Sequence, residues 1–468
     1  MRNVDVRLHR DVAIGTTHPR LFGAFLEHLG RCIYGGIFEP GHPSADAQGF
    51  RQDVMALVRE LAPTIMRYPG GNFVSGYDWH DGVGERDRRP PRKNPAWRWV
   101  EPNDVGLHEF LDLCELLEAE PYIAVNAGLG DAASAAEEVQ YANGPADSPA
   151  GRRRAANGHP EPWHVLFWGI GNEMYGSWQL GNVPLAEYTK RHRAFADAMR
   201  ASDPSIQLVG VGAVGDWSRT MLDTCADRLD LLSEHVYWQS RPSLLSHVRQ
   251  APQSLATIAR EHRRYRRELP SLAGRDIRLV QDEWNYWYGP EVFGELGTRY
   301  FMKDALGCAA ALHEFGRNSD LFFMANYAQT VNVIGAIKTS RTNAALESTG
   351  LVLKLYRHRF GTLPCATETT PTIDALAAWT PDRRTLTIAI VNPSTSPQEI
   401  ALDLRGATVA GTGTRWEIAH PDPLAFNDPD GERPIAIVES KVESLGTSLR
   451  VAPCSVTLYA LPAAESAR

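Results

Sequence analysis

The feature that most constrains the fold is a rhythm: eight short apolar runs, separated by stretches of helical periodicity. The runs are 21–27, 64–68, 121–126, 165–173, 206–212, 231–237, 277–283 and 321–327. Each has the length of a fully buried strand. Between and after them, 50–61, 104–117, 132–141, 185–200, 218–227, 255–267, 299–315 and 346–359 read as helices. In the second of these, Leu107, Phe110, Leu111, Cys114 and Leu117 repeat at the spacing of one apolar helix face. Strands alternating with helices build parallel βαβ units. Eight units in series are the count of a (β/α)₈ TIM barrel, assigned to residues 15–358.

Beyond residue 360 the texture changes. Short strand-like runs at 375–379, 385–391, 400–404, 414–418, 435–438 and 455–460 are punctuated by turn clusters such as Asp428-Pro429-Asp430-Gly431. Residues 359–468 therefore read as an all-β sandwich, jelly-roll-like in character. The segment 1–14 contains a strand-like stretch, 4–14, that has no partner in the barrel. It is expected to join the sandwich, since chain ends often lie close together.

Chemistry in such a barrel gathers at the C-terminal ends of the strands. Strand one ends in Glu27-His28 and strand two leads into Arg67-Tyr-Pro-Gly-Gly-Asn72. Strand three ends at Asn126, and strand four in Gly171-Asn172-Glu173. Strand six ends in Glu234-His235-Val-Tyr237, strand seven in Asp282-Glu283-Trp284-Asn285, and strand eight in Asn326-Tyr-Ala-Gln329. Carboxylates that follow apolar runs are costly to bury unless paired or functional. Glu173 and Glu283, facing each other across the barrel mouth, suit glycoside hydrolysis, in which one carboxyl protonates the leaving oxygen and the other attacks the sugar. The competing reading is two salt-bridged glutamates, one neutralised by Arg67. Aromatic residues tip the balance: Tyr175, Trp178, Tyr237, Trp238, Trp284, Tyr286, Trp287 and Tyr288 crowd the same loops. Such rings cover the apolar C–H faces of sugars, although core packing explains some of them.

Other functions are disfavoured. The 48 basic and 56 acidic residues leave a formal net charge of −8, which argues against non-specific nucleic-acid binding. The six cysteines are scattered with no CxxC pair and read as reduced thiols of a cytoplasmic protein. Residues 1–16 lack an apolar leader core, and no apolar run is long enough to span a membrane. Gly210-Val-Gly212-Ala-Val-Gly215 fits a dinucleotide fingerprint, but it lies in the fifth of eight units, where a Gly-rich loop that keeps the pocket open is the simpler reading. Arg152-Arg153-Arg154 and the arginines of 260–267 read as solvated helix faces. No HExxH, zinc-finger spacing, P-loop or GxSxG is present, so neither a metal nor a cofactor is expected.

Several stretches together carry a resemblance. They are Phe22-Gly-Ala-Phe-Leu-Glu27-His28-Leu-Gly-Arg31, Arg67-Tyr-Pro-Gly-Gly-Asn72, Trp168-Gly-Ile-Gly-Asn172-Glu173-Met174, Asp282-Glu283-Trp284-Asn285 and Asn326-Tyr-Ala-Gln329-Thr-Val-Asn332. In this order, and over nearly the whole chain, they resemble the intracellular α-L-arabinofuranosidases of glycoside hydrolase family 51. The resemblance implies a retaining, exo-acting enzyme with Glu173 as acid/base and Glu283 as nucleophile. The two carboxyls are then expected about 5–5.5 Å apart. It also implies that Glu27, Asn72, Asn172 and Gln329 bind sugar hydroxyls. Arg67 and Tyr237 would hold the nucleophile charged and oriented, His235 would stand near the acid/base, and Trp287 would wall the pocket. The implied partner is an arabinofuranosyl-containing oligosaccharide, and the implied assembly a homo-oligomer, often a hexamer. Residues 128–162 depart from the family pattern, and loops in that position commonly form subsite walls. A related retaining glycosidase on the same barrel, an endoglucanase or β-xylosidase, is the alternative.

Overall fold

The computed structural model describes residues 6–405, 409–446 and 448–464. All eight apolar runs form parallel strands. They are Gly23–Phe25, Ile65–Tyr68, Glu120–Val125, Phe167–Ile170, Gln207–Gly210, Leu231–Trp238, Arg278–Tyr286 and Phe322–Tyr327, closed into one barrel in sequence order. The lower interior is filled by Ile65, Tyr122, Phe167, Val209, Leu231, Val280 and Met324, a packed plug of one side chain from each of seven strands. The barrel is thus solid below, and only its C-terminal rim is free to carry chemistry.

The helices wrap this barrel for the reason their spacing implies. In Gln52–Leu61, for example, Val54, Met55, Val58 and Leu61 make one buried face. The helix expected over 255–267 begins earlier, at Leu244, and runs through Pro252 to Glu268. A further helix, Pro149–Ala156, was hidden by its Arg- and Gly-rich composition. Ser148 caps it by accepting from the Gly151 amide, and Pro149 occupies the first turn, where no amide hydrogen is needed.

That helix corrects one expectation. Arg152 and Arg153 face solvent, but Arg154 is fully buried. Its guanidinium donates to the carbonyls of Tyr141, Gly144, His159 and Pro160 at 2.7–3.1 Å. It ties the segment between strands three and four together from inside. Gly210 and Gly212 of the 210–215 run are also explained by packing, whereas Gly215 has open space around it and a positive φ of 120°. A Cβ on Gly210 would lie 2.3 Å from Leu229, and one on Gly212 would lie 2.1 Å from the Ser233 carbonyl. They let strand five approach its neighbours rather than clear a pocket.

The C-terminal region is a nine-stranded sheet. Its order is Val438–Val442, Gly413–Ala419, Ser455–Pro462, Thr385–Asn392, Asp374–Trp379, Leu363–Thr369, Val6–Ala13, Gln398–Asp403 and Ser448–Val451. The sheet curls into a sandwich, so that Leu8, Ile388, Ile400 and Val451 share one apolar core. The N-terminal strand does join it, antiparallel to Leu363–Thr369 and parallel to Gln398–Asp403; residues 1–5 lie outside the described residues. Two strands, Leu363–Thr369 and Ser448–Val451, were not anticipated. The one expected at 435–438 is displaced to Val438–Val442, because Ile435 instead pairs its amide with the Asn427 side chain.

The sandwich is braced on the helix Met302–Arg317. Arg317 donates to Asp374 at 2.8 Å and to the Ala375 carbonyl at 2.9 Å, and Asn427 reaches the Leu346 carbonyl. Among the described residues, no helix is long and apolar enough to cross a membrane.

Arg154→Ala strips four carbonyls of their donor, two of them buried. Chemical denaturation should show a loss of at least about 2 kcal/mol, whereas Arg152→Ala, on the solvated face, should stay within about 0.5 kcal/mol of wild type.

Candidate active site

Strand closure brings all ten residues singled out above to one end of the barrel. Eight of them line a single cavity of about 520 Å³: Glu27, Asn72, Asn172, Glu173, Tyr237, Glu283, Trp287 and Gln329. The other two, Arg67 and His235, lie in contact with the glutamates. Arg67, at the end of strand two, donates Nη1 to Glu283 Oε1 at 2.7 Å and Nη2 to Asn172 Oδ1 at 2.6 Å, and its Nε lies 3.4 Å from Asp282 Oδ2. Tyr237, on strand six, donates its hydroxyl to the second Glu283 oxygen at 2.7 Å. Glu283 is thus fixed at both oxygens by groups from two other strands.

Glu173 sits in different company. It follows Gly171 (φ +84°) in a turn and is itself left-handed (φ 38°), an uncommon conformation for a residue with a side chain. Its carboxylate accepts from His235 Nδ1 at 2.9 Å, from the Tyr175 hydroxyl at 3.2 Å and from the Trp178 indole. Burial works to raise its pKa, but the hydrogen bond and charge of His235 outweigh that, and the carboxyl ends below its ordinary value. For His235, burial alone would lower the pKa. The charges of Glu283 and Asp282 overcome this and raise it well above the usual imidazole value.

Single oxygens of Glu173 and Glu283 and a ring nitrogen of His235 all lie within 4.8 Å of one another. Among the described residues this is the one cluster with the donor atoms of a metal site. The His235 nitrogen already points at both carboxylates, 2.9 and 3.5 Å away, so the trio is complete as a hydrogen-bonded ion cluster.

The remaining residues build the far wall. Glu27 accepts from the Phe73 amide, Trp97 Nε1 and Gln329 Nε2 at 2.9–3.1 Å. Burial, reinforced by the charge of Glu283, pushes its pKa up to about 7 despite those donors. Asn72 uses its amide on the loop opposite, donating to the Trp178 carbonyl and accepting from the Leu180 amide, both at 2.9 Å. Trp287 packs edge-on against Tyr237, with ring centroids 5.4 Å apart. Of the aromatic crowd, Trp178, Tyr237 and Trp287 line the cavity, while Trp238, Trp284 and Tyr286 are buried core.

Residues 57–255 match the family model described as the alpha-L-arabinofuranosidase 1 domain, and residues 282–455 match the alpha-L-arabinofuranosidase C-terminal domain. An intracellular exo-alpha-(1->5)-L-arabinofuranosidase of Streptomyces lividans is 35% identical, over 96% of this chain and 73% of that protein. The chain belongs to the family-51 α-L-arabinofuranosidases. A Bacillus subtilis enzyme of the same name, numbered 1, is 31% identical over 97% of this chain and 98% of its own length. The crystal structure of a Thermotoga maritima α-L-arabinofuranosidase in complex with arabinose superposes with a TM-score of 0.91. It is 30% identical and covers 98% of this chain and all of that one.

Within this arabinofuranosidase framework, the structure adds residues that sequence reasoning passed over. In the sequence Asp282 reads only as part of a motif, yet it contacts Arg67 and His235 at once. A charge inside the run Leu279-Val280-Gln281-Asp282 was the available signal. Trp97 lies in a Pro- and Arg-rich stretch without periodicity, and nothing in its neighbourhood marked it. The segment 128–162 contributes no residue to the cavity lining; Ala96, Trp97 and Trp178 stand there instead.

A carboxyl with a raised pKa is destabilising once ionised. The folded state binds the proton more tightly, so wild-type stability falls as pH rises from the unfolded value towards 7. Glu27→Gln removes this penalty. Relative to wild type, the variant should gain about 3 kcal/mol between pH 4.5 and 8, read by chemical denaturation at the two pH values. An equal response of both proteins to pH would show that Glu27 titrates normally.

Proposed function

We propose that the chain is a retaining, exo-acting α-L-arabinofuranosidase in which Glu283 attacks the anomeric carbon and Glu173 serves as acid/base. The observation that carries this assignment is the unequal company of two neighbouring carboxyls. Both Glu283 oxygens accept hydrogen bonds, one from a guanidinium and one from a phenol, and this fixes the carboxylate for in-line attack. Glu173 instead faces an imidazole that can exchange a proton and the exposed Trp178, on the side where a leaving group would stand.

In the first half-reaction, Glu173 protonates the glycosidic oxygen as Glu283 bonds to the sugar. In the second, Glu173 takes a proton from water as that bond is broken. Glu27, Asn172 and Gln329 present polar atoms to the glycone, with Asn72 at the edge, and Trp287 gives it an apolar wall. Two carboxyls and a water suffice for this chemistry without a metal or cofactor. The arabinofuranosyl glycone and the exo mode are inferred from the relatives' names. A cytoplasmic setting is supported by their being called intracellular and by six free, buried cysteines. A homo-oligomer follows from the family resemblance, and light scattering of the purified protein tests it. A panel of nitrophenyl arabinofuranoside, xyloside and cellobioside separates the proposed activity from that of a β-xylosidase or endoglucanase.

The roles of the two glutamates are separable. General acid assistance is worth ~10²–10⁴-fold, but a dinitrophenolate leaving group barely needs it. Glu173→Ala should therefore form the glycosyl-enzyme from dinitrophenyl arabinofuranoside in a burst and then turn over slowly. Azide should restore turnover and give an arabinosyl azide of retained configuration. Glu283→Ala should show no burst, and any azide product should be inverted. Product NMR decides, and the opposite pairing would reverse the assignment.

A further inference from the structure

Glu173 must carry a proton to the leaving oxygen, yet its carboxyl is surrounded by donors. His235 Nδ1, the Tyr175 hydroxyl and the Trp178 indole all point at it, and donors of this kind favour the ionised form. Of the three, only an imidazole gives up a proton readily near neutral pH.

The other face of that imidazole is held by Asp282. This side chain is 2% exposed and has partners on three further strands. Its Oδ2 accepts from the Tyr122 hydroxyl at 2.8 Å, with Arg67 Nε at 3.4 Å. Its Oδ1 accepts from Ser233 Oγ and lies 3.1 Å from His235 Nε2. A carboxylate acceptor at Nε2 keeps the hydrogen on that nitrogen. Nδ1, which faces Glu173 Oε1, is then the nitrogen free to exchange.

We propose that His235 Nδ1 stores the proton that Glu173 delivers to the leaving oxygen, and that Asp282 is the positioning residue that holds His235 in this role. The proposal rests on the reading of Glu173 as acid/base. In the resting enzyme the pair is imidazolium and carboxylate. The Nδ1 proton passes to Glu173 Oε1, leaving a neutral imidazole protonated on Nε2 and a neutral acid, with no change in net charge. Glu173 then gives that proton to the glycosidic oxygen as the C–O bond breaks and Glu283 bonds to the anomeric carbon. When water later displaces Glu283, Glu173 takes a proton from it and returns the proton to Nδ1.

The charged groups facing His235 are Glu173 from the loop after strand four and Asp282 and Glu283 from strand seven, with Arg67 of strand two behind Asp282. Asp282 stays ionised throughout. Burial opposes its charge, but Arg67 and His235 hold its pKa at about 2. The carboxylates raise His235 well above its usual value, which keeps the store filled at neutral pH.

The sign of one shift tests the idea. If His235 were only a fixed cation, His235→Gln would remove a positive charge from beside Glu173 and raise its pKa. The alkaline limb of kcat/KM on arabinobiose, a substrate with a poor leaving group, would then move to higher pH. If His235 is the store, that limb records loss of the shared proton. His235→Gln then leaves Glu173 to titrate alone, and the limb should move to lower pH by at least about one unit. Asp282→Asn withdraws one carboxylate from His235 and should move the limb in the same direction by less. A limb that stays or rises in His235→Gln overturns the proposal.

A measurement on the unmodified enzyme does not depend on how the variants fold. Dinitrophenyl arabinofuranoside needs no proton on its leaving group, so wild-type kcat/KM should lose its alkaline limb on that substrate. A limb that persists there also overturns the proposal. The two possible failures are distinct: reversed azide products remove the acid/base reading, whereas a limb of the wrong sign with the expected azide products removes only the proton store.

Discussion

One guanidinium organises the barrel mouth. Arg67 is buried, lies 4.6 Å from the centroid of the Phe25 ring of strand one, and reaches side chains of strands four and seven. Strand seven presents two successive carboxylates, Asp282 and Glu283, to an interior that would not tolerate them unpaired. Arg67 compensates both, and by also binding Asn172 it sets the start of the turn that carries Glu173. Removing one partner of such a buried cluster leaves uncompensated charge, so the arrangement is held as a unit. The distinct surroundings of the two glutamates follow from this: Arg67 and Tyr237 occupy the Glu283 side, and His235 is left to face Glu173.

The barrel was legible because its signal is repeated. Each apolar run had to be a buried strand, and the alternation with helices left few topologies open. The convergence of Glu27, Arg67, Asn172, Glu173, Tyr237, Glu283 and Gln329 followed from one rule, that strand ends meet on one rim. What stayed hidden depends on contacts between distant loops. Asp282 reads as a neighbour of Glu283 until Tyr122, Ser233 and His235 are seen around it. Trp97 has no local pattern at all, because its position is set by a hydrogen bond to Glu27, seventy residues earlier in the chain.

Composition misled in the segment 128–162. Arginines close together look solvated, and glycines and prolines look like loop. In fact Ser148 and Pro149 start a helix whose Arg154 points inward to a set of carbonyls left over by chain turns. An arginine with planar, forked donors suits that task in a way a lysine would not. In the sandwich, the two strands that were missed lack a run of buried apolar residues: Leu363–Thr369 is mostly half-buried, and in Ser448–Val451 only Leu449 and Val451 turn inward.

The N-terminal strand lies in the middle of the C-terminal sheet, where Val6 pairs with Thr369 on one side and Leu402 on the other. In covalent terms the barrel is an insertion within the sandwich. A ribosome that adds about 5–20 residues per second needs on the order of tens of seconds between making that strand and making its partners. For that time the nascent chain exposes an edge whose apolar face, Val6 and Leu8, has nothing to cover it. The barrel strands are made while this strand is still unpaired, and the last strands then close the sheet around it, so a strand made before the barrel finds its place only after it.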